Sequence, residues 1–257
     1  MPLTEDQVNK IETVIRTSLK KKFYSYNPES SNMPFHFRLL GKDRMALYSF
    51  IQSLNTTFGT SIFEPVAETL ASTRYPIAKK QFFVGNTITE EAQKEIQSIM
   101  NELSLGKSPN KKEEIDRIRK VSQIGSISKM KTVKVDICVT SITGSTHFFD
   151  LKTAKPNISS FKDFKRTLLE WVALYLYDHP EADIHSYIAI PYNPYEPRPY
   201  ERWTLRGMLD LEEELKVADE FWDFLGGEGA YEALLDCFER VGIELKPEID
   251  QYFSTYK

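Results

Sequence analysis

A chain of 257 residues with 41% hydrophobic and 27% charged residues can bury a sizeable core and has an ordinary globular composition. Its longest apolar run, Trp171 to Tyr177, falls well short of the roughly 18 residues that span a bilayer, and the acidic N-terminus MPLTEDQVNK is unlike a secretory leader, so no membrane partner is expected. The net charge of −4 is uneven: residues 1–177 hold 26 Lys/Arg against 18 Asp/Glu and residues 178–257 hold 7 against 19, so the total does not exclude nucleic acid as a partner.

In chain order, Thr4 and Gln7 form a capping-box pattern before Val8, Ile11, Ile15 and Leu19, which recur at helical spacing. NPESSNMP (27–34) reads as a loop, and a helix is expected over about 43–58 with Leu47, Phe50, Ile51 and Leu54 on one face. Gly59 punctuates it, and a short helix follows with Pro65 in its first turn. Residues 89–104 and 110–121 predict two more helices. The period then changes to two, which predicts strands over 132–141 and 145–154. Residues 159–177 carry the strongest amphipathic stripe, and 184–190 read as a short apolar strand. A Pro- and Tyr-rich loop, PYNPYEPRPYERW (191–203), precedes several short helices to the C-terminus. Helix, hairpin, helix, strand is the order of an α/β unit with a crossover helix.

The hairpin KVDICVTSITGSTHFFDLK (134–152) carries the chemistry. A turn at Ile142-Thr143-Gly144 with glycine last pairs residues whose numbers sum to 286, placing Asp136 opposite Asp150 and Lys134 opposite Lys152. Alternation then puts Val133, Val135, Ile137, Val139, Phe149 and Leu151 on a core face. Lys134, Asp136, Cys138, Asp150 and Lys152 fall on a charged face expected to line a cleft. Opposed carboxylates weaken a sheet unless a cation lies between them, and two carboxylates completed by waters suit magnesium. The plainer reading is a solvated face on which the lysines neutralise the aspartates. His36, His147, His179 and His185 lack zinc-ligand spacing, and His147 reads as a hairpin surface residue. Cys138 and Cys237 are far apart, which suits a reducing cytoplasm, and no Gly-rich loop suggests a nucleotide cofactor.

Asp136 followed by Asp150-Leu151-Lys152 resembles the PD-(D/E)xK nuclease motif, with Val135 where that motif has proline. Over HFRLLGKDRMALYSF, GTSIFEPVAETLA, FFDLKTAKPN, FKRTLLEW and EFWDFLGGEGAYEALLDCFERVGIELKPEID the chain is similar to type II restriction endonucleases of the TdeIII type. The resemblance implies one restriction-endonuclease-like α/β domain over 1–257. Its mixed sheet, flanked by helices, would form a core at about 60–190, with a helical region at about 204–257. It implies magnesium-dependent cleavage of double-stranded DNA, a GGNCC-related site, and a homodimer matching a palindromic site. A structure-selective or repair nuclease of the same fold, and a non-catalytic DNA-binding protein, remain open alternatives.

On this resemblance Asp136 and Asp150 hold the metal, with Leu151 supplying at most a carbonyl. Lys152 either deprotonates the attacking water or acts as a fixed cation. Glu68 is the helical acid near the metal, while Glu64 reads as a first-turn capping residue. Lys155, Asn157, Ser159, Ser160, Lys162 and Lys165 surround the start of the 159–177 helix and are expected to position the DNA backbone. Arg198, Arg202 and Arg206 are the expected base readers, with Arg38, Lys42 and Arg44 as a second patch.

Overall fold

The structure is a computed structural model that describes residues 3–26, 33–152, 154–157, 160–201 and 207–254, apart from the side chains of Asp43 and Phe253. At the start of α1 (Glu5–Ser25) the capping box forms as expected: the Thr4 hydroxyl accepts from Gln7 N–H at 3.2 Å, and the Gln7 side-chain Oε1 accepts from Thr4 N–H at 3.0 Å. Ile11 and Ile15 anchor this helix in the core. Pro34 opens α2 (Pro34–Leu40), and Gly41, at φ 87°, turns the chain into α3 (Lys42–Thr57).

The apolar stripe expected on α3 is only partly buried: Phe50 is enclosed by Phe23 and Tyr252, but Leu47 and Ile51 are 45% and 47% exposed. Gly59 does not end the helix. A π-helical segment, Phe58–Phe63, leads straight into α4 (Glu64–Ala71), so residues 42–71 contain no non-helical residue.

Strand β1 (Ile77–Thr89) was not anticipated, because register shifts around Gly85 and a positive φ at Gln81 break its alternation. Helices α5 (Glu90–Ser104) and α6 (Lys111–Val121) then precede the hairpin of β2 (Ile127–Thr140) and β3 (Thr146–Leu151). The crossover helix α7 (Phe161–Asp178) joins β3 to β4 (Ile184–Ile190). α8 (Leu211–Glu214), a second unanticipated strand β5 (Leu215–Val217), α9 (Asp219–Gly226) and α10 (Ala230–Ser254) complete the described elements. The sheet order is β1-β2-β3-β4-β5, antiparallel through β3 and parallel from β3 to β5, as expected of a mixed sheet flanked by helices.

Both faces of this sheet are covered. Phe148 packs edge-on against Trp171 and Tyr175 of α7, while Phe149 meets Phe221 and Phe224 of α9. Cys138 is therefore not on an open charged face; it is 1% exposed, and burial pushes its thiol up to about 12. Nor is His147 a free surface residue: it is half-buried and stacks on His185 with ring centroids 4.7 Å apart. Burial pushes it down to about 4. Among the described residues no helix is long and apolar enough to cross a membrane.

Lys165 faces inward rather than toward solvent. It is fully buried, donating to Glu114 at 2.5 Å and to Glu214 at 2.6 Å, and Lys111 reaches Glu214 at 2.7 Å. Burial alone would raise the Glu214 carboxyl, but Lys111 and Lys165 pull it below its ordinary value. The amphipathic pattern of α7 exposes this position only if no partner charges approach from elsewhere, and α6 and α8 bring two. K165M leaves both glutamates buried without this cation and is expected to lower stability by about 3–5 kcal/mol in urea unfolding.

Candidate active site

The hairpin register is the expected one. Ser141 N–H bonds Ser145 C=O at 2.9 Å, Gly144 adopts φ 90°, and the pairs run from Thr140–Thr146 to Ile137–Phe149. Beyond that point the ladder stops. The N–H of Leu151, which an unbroken ladder would pair with β2 backbone, instead donates to the Asp136 carboxylate at 2.8 Å. Lys152 N–H turns the other way, to Ala189 C=O of β4 at 2.9 Å. Asp136 thus sits where the strands part, and its side chain takes over a backbone bond.

This parting brings Asp136, Asp150 and Lys152 together. The Asp150 carboxyl is 7% exposed and close enough to that of Asp136 to feel its charge, and Lys152 Nζ lies 2.7 Å from Asp150 Oδ1. Burial pushes Asp150 up to about 6, and the Asp136 charge adds to the rise while Lys152 opposes it. The Lys152 ammonium also stands 4.9 Å from the Phe164 ring centre, which fixes its direction.

A third acid joins from α4, and it is the other helical glutamate. Glu64 is 4% exposed, with its pKa raised by burial and by the charge of Asp136. Gln81 Nε2 donates to it at 2.8 Å. Gln81 occupies the gap between the paired positions Lys80–Ile137 and Phe82–Val135, beside Asp136, in a left-handed conformation at φ 50°. Glu68, the expected acid, instead accepts the Lys80 N–H at 3.1 Å. Sequence reading missed Gln81 altogether and took Glu64 for a cap; an acid at the first turn of a helix gives no sign of the strand it will meet.

The donor set fits a hard divalent cation. Two abutting carboxylates share one neighbouring ammonium, so their combined charge is under-compensated at neutral pH. Among the described residues no three acidic, histidine or cysteine side chains converge closely enough to hold an ion unaided. An ion here would rest on Asp136, Asp150, the Leu151 carbonyl and water, a set suited to magnesium.

The remaining expected contacts are less concentrated. Lys152 and Lys155 line a cavity of about 690 Å3, and Lys155 Nζ lies 5.4 Å from the Tyr195 ring centre. Asn157 C=O accepts from Ser160 N–H at 3.1 Å at the entry to α7, and Lys162 is exposed one turn on. Arg198 is exposed, with its own carbonyl held by Asn193 Nδ2 at 2.7 Å. Ser159, Arg202 and Arg206 lie outside the described residues. Arg38, Lys42 and Arg44 are exposed around the turn between α2 and α3.

A family model described as type II restriction endonuclease HinfI matches residues 3–242. The type II restriction enzyme HgiCII of Herpetosiphon aurantiacus is 24% identical over 221 residues, covering 84% of this chain and 80% of its own length. HgiEI of the same organism is 24% identical over 237 residues, with 88% and 85% covered. The type II restriction enzyme MjaII of Methanocaldococcus jannaschii is 25% identical over an aligned length of 293, with 99% and 74% covered.

Because Asp150 is held above its ordinary value of 3.8, its contribution to stability is present below pH 4 and lost as pH rises through about 6. Metal-free protein should therefore lose up to about 3 kcal/mol across that window. D150N should remove this loss and unfold at higher urea than the wild type at pH 8, as read by paired denaturation curves.

Proposed function

The chain belongs to the HinfI family of type II restriction endonucleases, and from that premise we propose that it hydrolyses phosphodiester bonds of double-stranded DNA with magnesium at the Asp136–Asp150–Lys152 site. The observation that carries this reading is the contact of two carboxylates with each other and with Lys152 beside a cavity that Lys152 and Lys155 line.

Asp136 and Asp150 would hold the ion, helped by the Leu151 carbonyl. Magnesium bound there would supply positive charge to the phosphate oxygens and acidify a water. Lys152, aimed by Asp150 and Phe164, places an ammonium where it can orient the attacking water and offset charge on the phosphorane. The water oxygen attacks phosphorus as one P–O ester bond breaks; the water's proton passes to solvent and the departing sugar oxygen takes one up from solvent, so charge and protons balance. Leu151 N–H holds one oxygen of Asp136, which fixes that carboxylate's direction. Glu64, steadied by Gln81, is better placed than Glu68 to act on a water near Asp136.

The finer likenesses, to the PD-(D/E)xK superfamily and to the TdeIII type with its GGNCC-related site, belong to the same proposal. They are supported by the Asp136…Asp150-Leu151-Lys152 spacing and by the helix–hairpin–helix–strand order around it. A palindromic site calls for a two-fold symmetric homodimer, and the cytoplasm is where such an enzyme would meet DNA.

Purified protein with magnesium should cut a sequenced plasmid into discrete bands whose ends map to GGNCC-related sites, and EDTA should stop it. K152A should lower the cutting rate by about 100-fold or more while still unfolding in one cooperative transition. A K152A variant cutting at the wild-type rate would remove the lysine from the reaction.

A further inference from the structure

Asn55 and Thr56, near the end of α3, line two cavities at once. One is the 690 Å3 cleft beside Lys152 and Lys155; the other, of about 850 Å3, continues along α3 to Lys22. The chain contains 37 aspartates and glutamates, yet among the described residues none lines either cavity. Lysines stand at both ends of this acid-free surface, an arrangement that receives a polyanion without repulsion.

Between those ends the wall on the α3 side is built of amides and hydroxyls. Gln52 and Asn55 are three residues apart and so share a helix face. Both are exposed; among the described residues the Asn55 side chain has no hydrogen-bond partner, and the Gln52 side chain donates only to the Tyr48 hydroxyl, at 2.7 Å. Carboxamides both donate and accept, and can bond a purine edge through two atoms at once. The same unbroken helical backbone runs through the π-helical segment to Glu64, so this face and the acid beside Asp136 are parts of one rod. Across the cleft, Tyr192 and Pro194 form the facing wall, and Arg198 lines neither cavity.

We propose that the face of α3 bearing Gln52 and Asn55 reads base edges of the DNA duplex, whose phosphates are held at Lys152 and Lys155 on one side and at Lys22 on the other. The proposal rests on the DNA-cleaving reading above and adds its specificity-determining residues. Lys22 is poised for a phosphate role: its ammonium donates to Ser53 Oγ and lies 5.1 Å from the Tyr26 ring centre, at the rim of the second cavity.

The test compares binding by fluorescence anisotropy, with K152A as the cleavage-silent parent. One labelled duplex spans a cut site mapped with the wild-type enzyme, and the other is a scrambled duplex of equal composition. Adding N55A or Q52A should cost about 10- to 100-fold in affinity for the cut-site duplex and leave the scrambled duplex unchanged, so that the preference collapses. Adding K22A should weaken both duplexes alike and reduce the salt slope by about one. Variants that keep the parent's preference, while the wild type cuts at discrete sites, would overturn the assignment of α3 alone. A wild-type protein that cuts no DNA would overturn the cleavage reading and this inference with it.

Discussion

The contact between the Asp136 and Asp150 carboxyls is the constraint on which the rest of the structure depends. Two like charges are held together in a place that burial makes hostile to either. The contact exists because the β2–β3 ladder ends at Ile137–Phe149 and the Asp136 side chain replaces the next backbone bond, on Leu151. That substitution leaves no backbone donor wasted and sets both carboxylates behind Lys152, which lines the cleft. Lys152 offsets part of the repulsion, and the excess negative charge that remains gives the site its appetite for a cation.

Holding such a centre requires rigid surroundings, and a second set of buried charges supplies them. The chain leaves β3 at Leu151 and reaches α7 near Lys165; it leaves β4 at Ile190 and reaches α8 near Glu214. The Lys165–Glu214–Lys111 and Lys165–Glu114 bridges therefore tie together the far ends of both loops that border the cleft. A buried network of this kind gains less stability than its Coulomb attraction suggests, since four groups are taken out of water. Its effect is positional: α6, α7 and α8 can meet in only one way that leaves no charge unpaired.

Much of the centre was legible in the sequence because it depends on local rules. The glycine-closed turn at 142–144 fixed the register, and two-residue alternation then placed Asp136 and Asp150 opposite each other. β4 was legible as a short, mainly apolar segment, and α7 from its stripe. What escaped were features set by distant partners. Gln81 in a left-handed conformation breaks the alternation by which β1 would be recognised, and three-residue β5 is too short to show a period. Glu64 looked like a cap because sequence cannot show that α4 packs across the strand parting at Asp136. Lys165 looked like a surface lysine because its partners come from 51 residues before it and 49 after it. The charged face of the hairpin likewise seemed continuous, whereas Cys138 is buried, α7 covers Phe148, and only the lower end, at Asp136, Asp150 and Lys152, is beside the cleft.

The central claim is that the paired aspartates form a divalent-cation site, and manganese titration followed by electron paramagnetic resonance tests it without DNA or turnover. Loss of the free-ion signal should saturate with wild-type protein. Asp136→Asn and Asp150→Asn should each weaken that binding by about 10-fold or more, the scale of removing one charged ligand. Equal manganese binding by the wild type and both variants would contradict the account.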